Sequence, residues 1–156
     1  MGDVRAVDPD AWRLWRDLRL RALADAPESF GSSLAEWETA DERRWRQRLE
    51  EVPLNVVAFA GEVPVGQASG ILANEDRRVE LISMWVVPER RGTGVADALV
   101  DAVARWARGE GAVAVRLSVR RKNEHAIRLY LRTGFVHVDE PGDEPDEITM
   151  VRPLDG

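Results

Sequence analysis

Residues 79–96 read Val79-Glu80-Leu81-Ile82-Ser83-Met84-Trp85-Val86-Val87-Pro88-Glu89-Arg90-Arg91-Gly92-Thr93-Gly94-Val95-Ala96, an apolar run that stops at a proline and turns through two glycines. The β-branched stretch Val79 to Val87 predicts a strand, and Pro88, which has no N–H for a ladder, ends it. Past the glycines, Val95, Leu99, Val103 and Trp106 recur near the helical repeat, so a helix is expected over Thr93 to Arg108, with Gly109 and Gly111 at its end. A helix start carries unpaired N–H groups and a partial positive charge, which suits a phosphate. Glycines at 92 and 94 let backbone come close to a bulky anion, and Arg91 adds a cation. The expected ligand is a pyrophosphate.

Several readings of this turn compete. A Walker A loop needs Gly-x4-Gly-Lys-Ser/Thr, and no such string occurs. A Rossmann fingerprint needs glycine or alanine where Asp97 stands, and it belongs to an early βαβ unit. A glycine turn that merely starts a helix is the plainest alternative. Outward from the turn, the elements alternate without a repeat or a linker. A first strand at Val4–Val7 precedes a helix from Asp10 to Pro27 that carries Trp12, Trp15, Leu18 and Leu23. Residues 28–33 read as a loop, and a second helix follows over Ala40–Glu50. Leu54–Ala60, a Gly61-Glu62 turn and Val63–Leu72 make a hairpin, and Asn74-Glu75-Asp76 turns the chain into Val79–Val87. After the main helix come a strand at Val113–Val119, a helix at Asn123–Thr133 closed by Gly134, and strands at Phe135–Val138 and Ile148–Val151. That order is α/β, with about four helices in one domain over residues 1–156.

Composition narrows the classes. The 156 residues are 44% apolar and 32% charged, as in an ordinary globular protein, and no apolar run approaches the ~20 residues that span a bilayer. The first residues lack the basic start and apolar core of a signal peptide, so a cytoplasmic location is expected. There is no cysteine, which excludes a thiol nucleophile and thiolate metal sites; His125 and His137 are too few for a histidine-rich zinc centre, so no metal is expected. A net charge of −6 argues against nucleic acid and is compatible with a cationic amine as partner.

Downstream of Arg91-Gly92-Thr93-Gly94-Val95-Ala96 stand Leu117-Ser118-Val119, Asn123, Ala126, Leu129-Tyr130 and Gly134-Phe135. Together these two halves resemble the GCN5-related N-acetyltransferase (GNAT) family: Arg-x-x-Gly-x-Ala after a strand, then strand, Asn, a helix with Tyr seven residues on, and Gly-Phe. The resemblance runs from Val4 to Val151. It implies a mixed, mostly antiparallel twisted sheet opened into a V, with acetyl-coenzyme A lying in the opening. It further implies that the N–H groups around Gly92, Thr93, Gly94, Val95 and Ala96, with Arg91, hold the pyrophosphate. Backbone groups of Trp85, Val86 and Val87 would pair with the pantetheine arm, Val86 or Val87 supplying an oxyanion donor. Val86 and Val87 also suit plain core positions. Asn123 would contact the cofactor arm, or simply cap a helix.

By the same resemblance Tyr130, the only tyrosine, would protonate the departing thiolate; the alternative is a packed aromatic. A thiol near pKa ~8.5 and a phenol near ~10 make that donation nearly balanced. Glu80 would be the general base toward an ammonium group, or else a strand-end carboxylate paired with Arg77 or Arg78. His125 and His137 are further titratable candidates. Phe30 or Trp37 is placed by the resemblance beside the acceptor. The acidic run Asp139–Glu147 reads as a solvated loop, which in this fold borders the acceptor mouth. The expected reaction is acetyl transfer to a primary amine by direct attack in a ternary complex, the acceptor being a small molecule. Protein N-termini or lysines as acceptors, a larger acyl group selected near Ile82, Met84 and Val119, and a non-catalytic acyl-coenzyme A-binding module are the rivals. A homodimer is a family-level expectation.

Overall fold

Seven strands pair into one sheet in the order β1-β2-β3-β4-β5-β7-β6. They are β1 (Asp3–Ala6), β2 (Leu54–Ala60), β3 (Val63–Ala73), β4 (Arg78–Val86), β5 (Ala114–Arg120), β6 (Val136–Pro141) and β7 (Glu147–Pro153). The computed structural model describes residues 3–27, 33–73 and 75–154. Five α-helices flank the sheet: α1 (Trp12–Asp25), α2 (Leu34–Trp37), α3 (Glu42–Glu51), α4 (Val95–Gly109) and α5 (Glu124–Arg132). The alternation of helical and strand patterns therefore gives the expected α/β fold, with one helix more than the sequence reading. The extra one, α2, is a single turn fixed by a capping box: the Glu36 amide donates to Ser33 Oγ, and the Ser33 amide donates to Glu36 Oε1.

Element ends follow local chemistry. Helix α1 stops at Asp25, with Ala26 as its C-cap ahead of Pro27, because a residue before proline is pushed out of helical backbone. Helix α3 begins after Asp41, whose carboxylate accepts from the Arg44 amide, so the second helix starts two residues later than expected. Helix α4 starts at Val95 rather than Thr93, since Gly94 takes φ +90° and stands outside the helix. Strand β6 extends to Pro141, so the acidic loop shrinks to residues 142–146.

Six of the neighbouring strand pairings are made, and only β4–β5 is parallel. That pairing is also the shortest. It joins Arg78 to Ala114, Val79 to Val115 and Glu80 to Arg116, and then ceases. Beyond it β4 keeps its ladder with β3, while β5 pairs along its full length with β7. The two strands thus follow different partners and diverge, which opens the sheet into a V. A β-bulge helps: Ser69 faces Ile82 and Gln67 faces Trp85, leaving Ser83 and Met84 opposite Ala68 alone, with Ser83 at φ +58°.

The core lies on both faces of this sheet. On one face α4 buries Val95, Leu99, Val100, Val103, Ala104 and Ala107. Gly66 on β3 admits that helix, since a Cβ there would meet Leu99 Cδ1 at 3.0 Å and Val95 Cγ1 at 3.2 Å. On the other face α1 and α3 bury Trp12, Trp15, Leu18, Leu23, Trp45 and Leu49. Period-2 alternation puts Gly66 and Gly70 toward α4 and Ser69 toward α3, so β3 separates the two layers.

Candidate active site in the V of the sheet

A cleft of about 1070 Å³ fills the V, walled by β4, β5, the turn before α4, and α5. Its β4 wall is unusual for a buried strand, because past Glu80 the backbone edge facing β5 has no strand partner. Unpaired backbone polar groups at a sheet edge are a template for something strand-like to bind. At the far end of that wall the chain passes through Pro88–Arg90 as a 3-10 turn and enters Arg91–Gly94. Gly92 (φ +79°) and Gly94 (φ +90°) both adopt left-handed backbone, and no atom lies within 4 Å of where either Cβ would stand. The space is open for a ligand rather than filled by protein. The N-cap, Gly94, offers no side chain, so the first N–H groups of α4 lack the usual side-chain acceptor. An uncapped helix start opening into a cleft could hold a pyrophosphate.

The register of β3 and β4 decides which amides face the cleft. The Val87 amide donates to the Val65 carbonyl at 2.9 Å, which makes Gly66 and Val86 a non-hydrogen-bonded pair. The N–H and C=O of Val86 therefore point away from β3, and its carbonyl accepts from Arg91 Nε at 3.1 Å. The same alternation turns the Trp85 amide toward β3. Of Trp85, Val86 and Val87, only Val86 offers an N–H to the cleft; the other two are committed to the sheet.

Arg91 is not a free cation. Its Nη2 donates to Asp25 Oδ2 at 2.6 Å, and Trp85 Nε1 donates to the same oxygen at 3.0 Å. Those two hydrogen bonds, Trp85's first, hold the Asp25 carboxyl below its ordinary value. Asp25, at the end of α1, thereby ties the turn to the first helix. Arg91 lines the cleft with its guanidinium engaged by Asp25 and by the Val86 carbonyl.

Across the cleft, Asn123 caps α5 by accepting from the Ala126 amide at 3.1 Å, and it also lines the cleft. One helical stretch on, Tyr130 reaches the same space, its ring edge-on to Phe135 at 5.5 Å between centroids. Burial pushes the Tyr130 phenol up. Burial thus makes it a weaker acid than a free phenol. At the closed end of the V, Glu80 accepts from Arg116 Nη1 with both oxygens, at 2.8 and 2.7 Å. Arg116 Nη1 also donates to Asp143 at 3.0 Å, and Nη2 to Thr149 Oγ1. Burial raises the Glu80 pKa above the usual carboxylate value, and Arg116 only partly opposes this.

A family model described as the acetyltransferase (GNAT) family matches residues 7–135. The chain belongs to the GNAT family. Among curated relatives it is 42% identical over 65 residues to an uncharacterized N-acetyltransferase of Mycobacterium tuberculosis, covering 42% of each protein. It is 32% identical over 125 residues to a mycothiol acetyltransferase of Thermobispora bispora, which is 78% of this chain and 41% of that protein. The matches thus span less than half the length of these relatives. The PaiA N-acetyltransferase of Thermoplasma acidophilum, solved in complex with coenzyme A, superposes with a TM-score of 0.77 at 16% identity, over 99% of both chains. At that identity the likeness concerns the fold.

Within this GNAT domain the residues singled out in the sequence converge on one cleft, with some exceptions. Glu80, Trp85, Val86, Arg91, Gly92, Gly94, Ala96, Asn123 and Tyr130 all line it. The Glu80 partner is Arg116, not Arg77 or Arg78. Trp37 does not line the cleft; it packs on Trp45 at 4.7 Å with Arg44 over its ring, and Phe30 lies outside the described residues. His125 lines the outer cleft and is exposed, and His137 is exposed. The acidic loop is not merely solvated: the Asp143 amide donates to Ser118 Oγ, the Arg121 amide to the Asp146 carbonyl, and Arg120 Nη1 to Asp146 Oδ2. Asp25, Arg116, Arg19 and Arg48 were missed. For Arg19 and Arg48 the only sequence signal is an arginine among the tryptophans and leucines of a helix face. No helix among the described residues is long and apolar enough to cross a membrane.

Proposed function

We propose that this GNAT domain transfers an acetyl group from acetyl-coenzyme A to the primary amine of a small molecule, by direct attack in a ternary complex. The observation that carries the reading is the uncapped start of α4, opening into the V beside an unpaired strand edge. The amides around Gly92–Ala96 would bind the pyrophosphate, and the β4 edge at Val86 would hold the pantetheine arm as a neighbouring strand would. Bound acetyl-coenzyme A supplies an acyl carbon open to attack by an amine and a thiolate leaving group. The Val86 N–H, which points away from β3 into the cleft, would donate to the thioester carbonyl oxygen as negative charge develops there. Tyr130, kept protonated by burial, offers its O–H to the leaving sulfur. Glu80, its pKa raised, takes the proton of the incoming ammonium directly or through water. A chain without cysteine favours direct transfer over a thioester relay. The relatives named N-acetyltransferase and mycothiol acetyltransferase both support acetyl as the acyl group, and the first name supports a nitrogen nucleophile.

The test is titration calorimetry with acetyl-coenzyme A, followed by amine-dependent release of free thiol. Binding and release support the reading. A folded protein that binds no acetyl-coenzyme A would overturn it.

A further inference from the structure

On the face of the sheet opposite α4, two arginines enter the cleft wall from different helices: Arg19 of α1 and Arg48 of α3. Arg19 is 9% exposed. Arg48 is held by neutral groups. Its Nη1 donates to Asn55 Oδ1 at 2.9 Å, and its Nη2 to Ser69 Oγ and to Ser83 Oγ, both at 3.2 Å. Its guanidinium also lies over the Trp15 ring at 5.4 Å. The holders are themselves fixed: Ser69 Oγ donates to Asn55 Oδ1, and Asn55 Nδ2 donates to the Leu49 and Val52 carbonyls. Among the described residues no carboxylate lies within ion-pair distance of Arg48, whose hydrogen-bond partners are all neutral. Burial, then repulsion from Arg48, lowers the Arg19 pKa to about 10; burial lowers that of Arg48 to about 10 against a partial offset from Glu51. Both stay cationic at neutral pH.

Arg48, a cation set in a partly dry wall on neutral partners, carries a desolvation cost that an incoming anion would offset, and Arg19 adds a second positive charge beside it. The contact with Ser83 puts Arg48 at the bulge of β4, inside the length over which β4 and β5 have parted. Carboxylates also line the cleft, at Glu80, Asp143, Glu144 and Glu147, of which Glu80 and Asp143 share Arg116.

We propose that Arg19 and Arg48 receive a carboxylate of the acceptor, so that the acceptor is a small amine that also bears a carboxylate, of the α-amino-acid type. This rests on the acetyl-transfer reading above for the amine half. The ammonium end would then face Glu80, and the carboxylate would take charge-assisted hydrogen bonds from the guanidiniums. The net charge of −6 is compatible with a cationic amine, whereas Arg19 and Arg48 suit an anionic group on the same molecule.

Two measurements test this independently. In the absence of any coenzyme, tryptophan fluorescence, to which Trp15 beneath Arg48 contributes, follows titration with N-acetyl derivatives of glycine, leucine, phenylalanine and glutamate beside their carboxamides. At least one acid is expected to bind about tenfold or more tightly than its amide, the size of losing one hydrogen bond to a charged group. With acetyl-coenzyme A, the free amino acids should exceed their amides by a similar factor in kcat/KM. Arg48→Met should bring that ratio near one while leaving acetyl-coenzyme A affinity unchanged, and Arg48→Lys should keep part of it. Amides that bind and react as well as acids, neither class binding or reacting, or a ratio untouched in Arg48→Met would each overturn the proposal. If Arg48→Met does not fold, the acid-to-amide comparison in the wild type still decides. Failure of acetyl-coenzyme A binding with acid-selective binding intact would sink the transferase reading and leave the arginine subsite standing.

Discussion

The two ends of the cleft are both suited to anions, by opposite means. At the α4 end the donors are backbone N–H groups, freed by two left-handed glycines and a helix start without a side-chain cap. At the α1–α3 end they are two arginine side chains, one of them, Arg48, positioned by Asn55, Ser69 and Ser83 on three different strands. Backbone donors lose no side-chain entropy on binding and present the same geometry whatever the neighbouring residue, so they suit an invariant group such as a pyrophosphate. Side-chain donors cost burial and support, and can be moved or replaced one residue at a time. The difference assigns the constant half of a reaction to one end and the variable half to the other.

The sharpest way to break that comparison is at the glycines. Replacing both, Gly92→Asp and Gly94→Asp, forces left-handed backbone on residues with a Cβ, costing about 1–2 kcal/mol each, and sets carboxylates where phosphate would lie. Acetyl-coenzyme A affinity is expected to fall by about a hundredfold or more by calorimetry. The acid-over-amide preference in coenzyme-free fluorescence should survive, because it belongs to the other end. Tyr130→Phe comes next. Turnover should drop about a hundredfold with cofactor affinity nearly unchanged, as for loss of a general acid; unchanged turnover would return Tyr130 to the role of a core aromatic packed on Phe135. Glu80→Gln should have the smallest effect at neutral pH, about tenfold in kcat/KM, with the acid limb of the pH profile flattened. The sign is fixed by burial. The folded Glu80 pKa is raised, so wild-type activity climbs as pH rises through it. The ionisation of Glu80 costs folding stability over the same window, from the ordinary value of 4.5 upward. Glu80→Gln should therefore also flatten that fall in stability, measured by denaturant unfolding.

The fold and the cofactor-side geometry were legible because they depend on neighbours in the chain. Val79–Val87 is a β-branched apolar run, Pro88 stops it, and the glycines turn it into α4. Even α2, to which the sequence reading assigned no element, was spelled out by Ser33-Leu34-Ala35-Glu36, whose capping box is a four-residue signal. The direction of single amides was less accessible. That Val86 faces the cleft while Val87 donates to Val65 depends on the register of β4 against β3, and a slip of one residue would exchange them. Arg91 shows the same limit. Its position in the motif promised a phosphate contact, but Asp25, sixty-six residues earlier, claims its guanidinium.

The sequence by itself determined the element order and the anion-ready turn, which follow from propensity and capping within a dozen or so residues; the family, and the expectation that Asn123, Tyr130 and Glu80 share one site, came from the resemblance that its motifs carry. Only the tertiary structure decided that Glu80 pairs with Arg116, that Trp37 turns to Trp45 instead of the cleft, and that Arg19 and Arg48 meet on its wall. Those outcomes depend on which strands pair and where two of them part. Sheet pairing brings together residues tens of positions apart, and its register is set by the burial of whole faces rather than by any short string of residues.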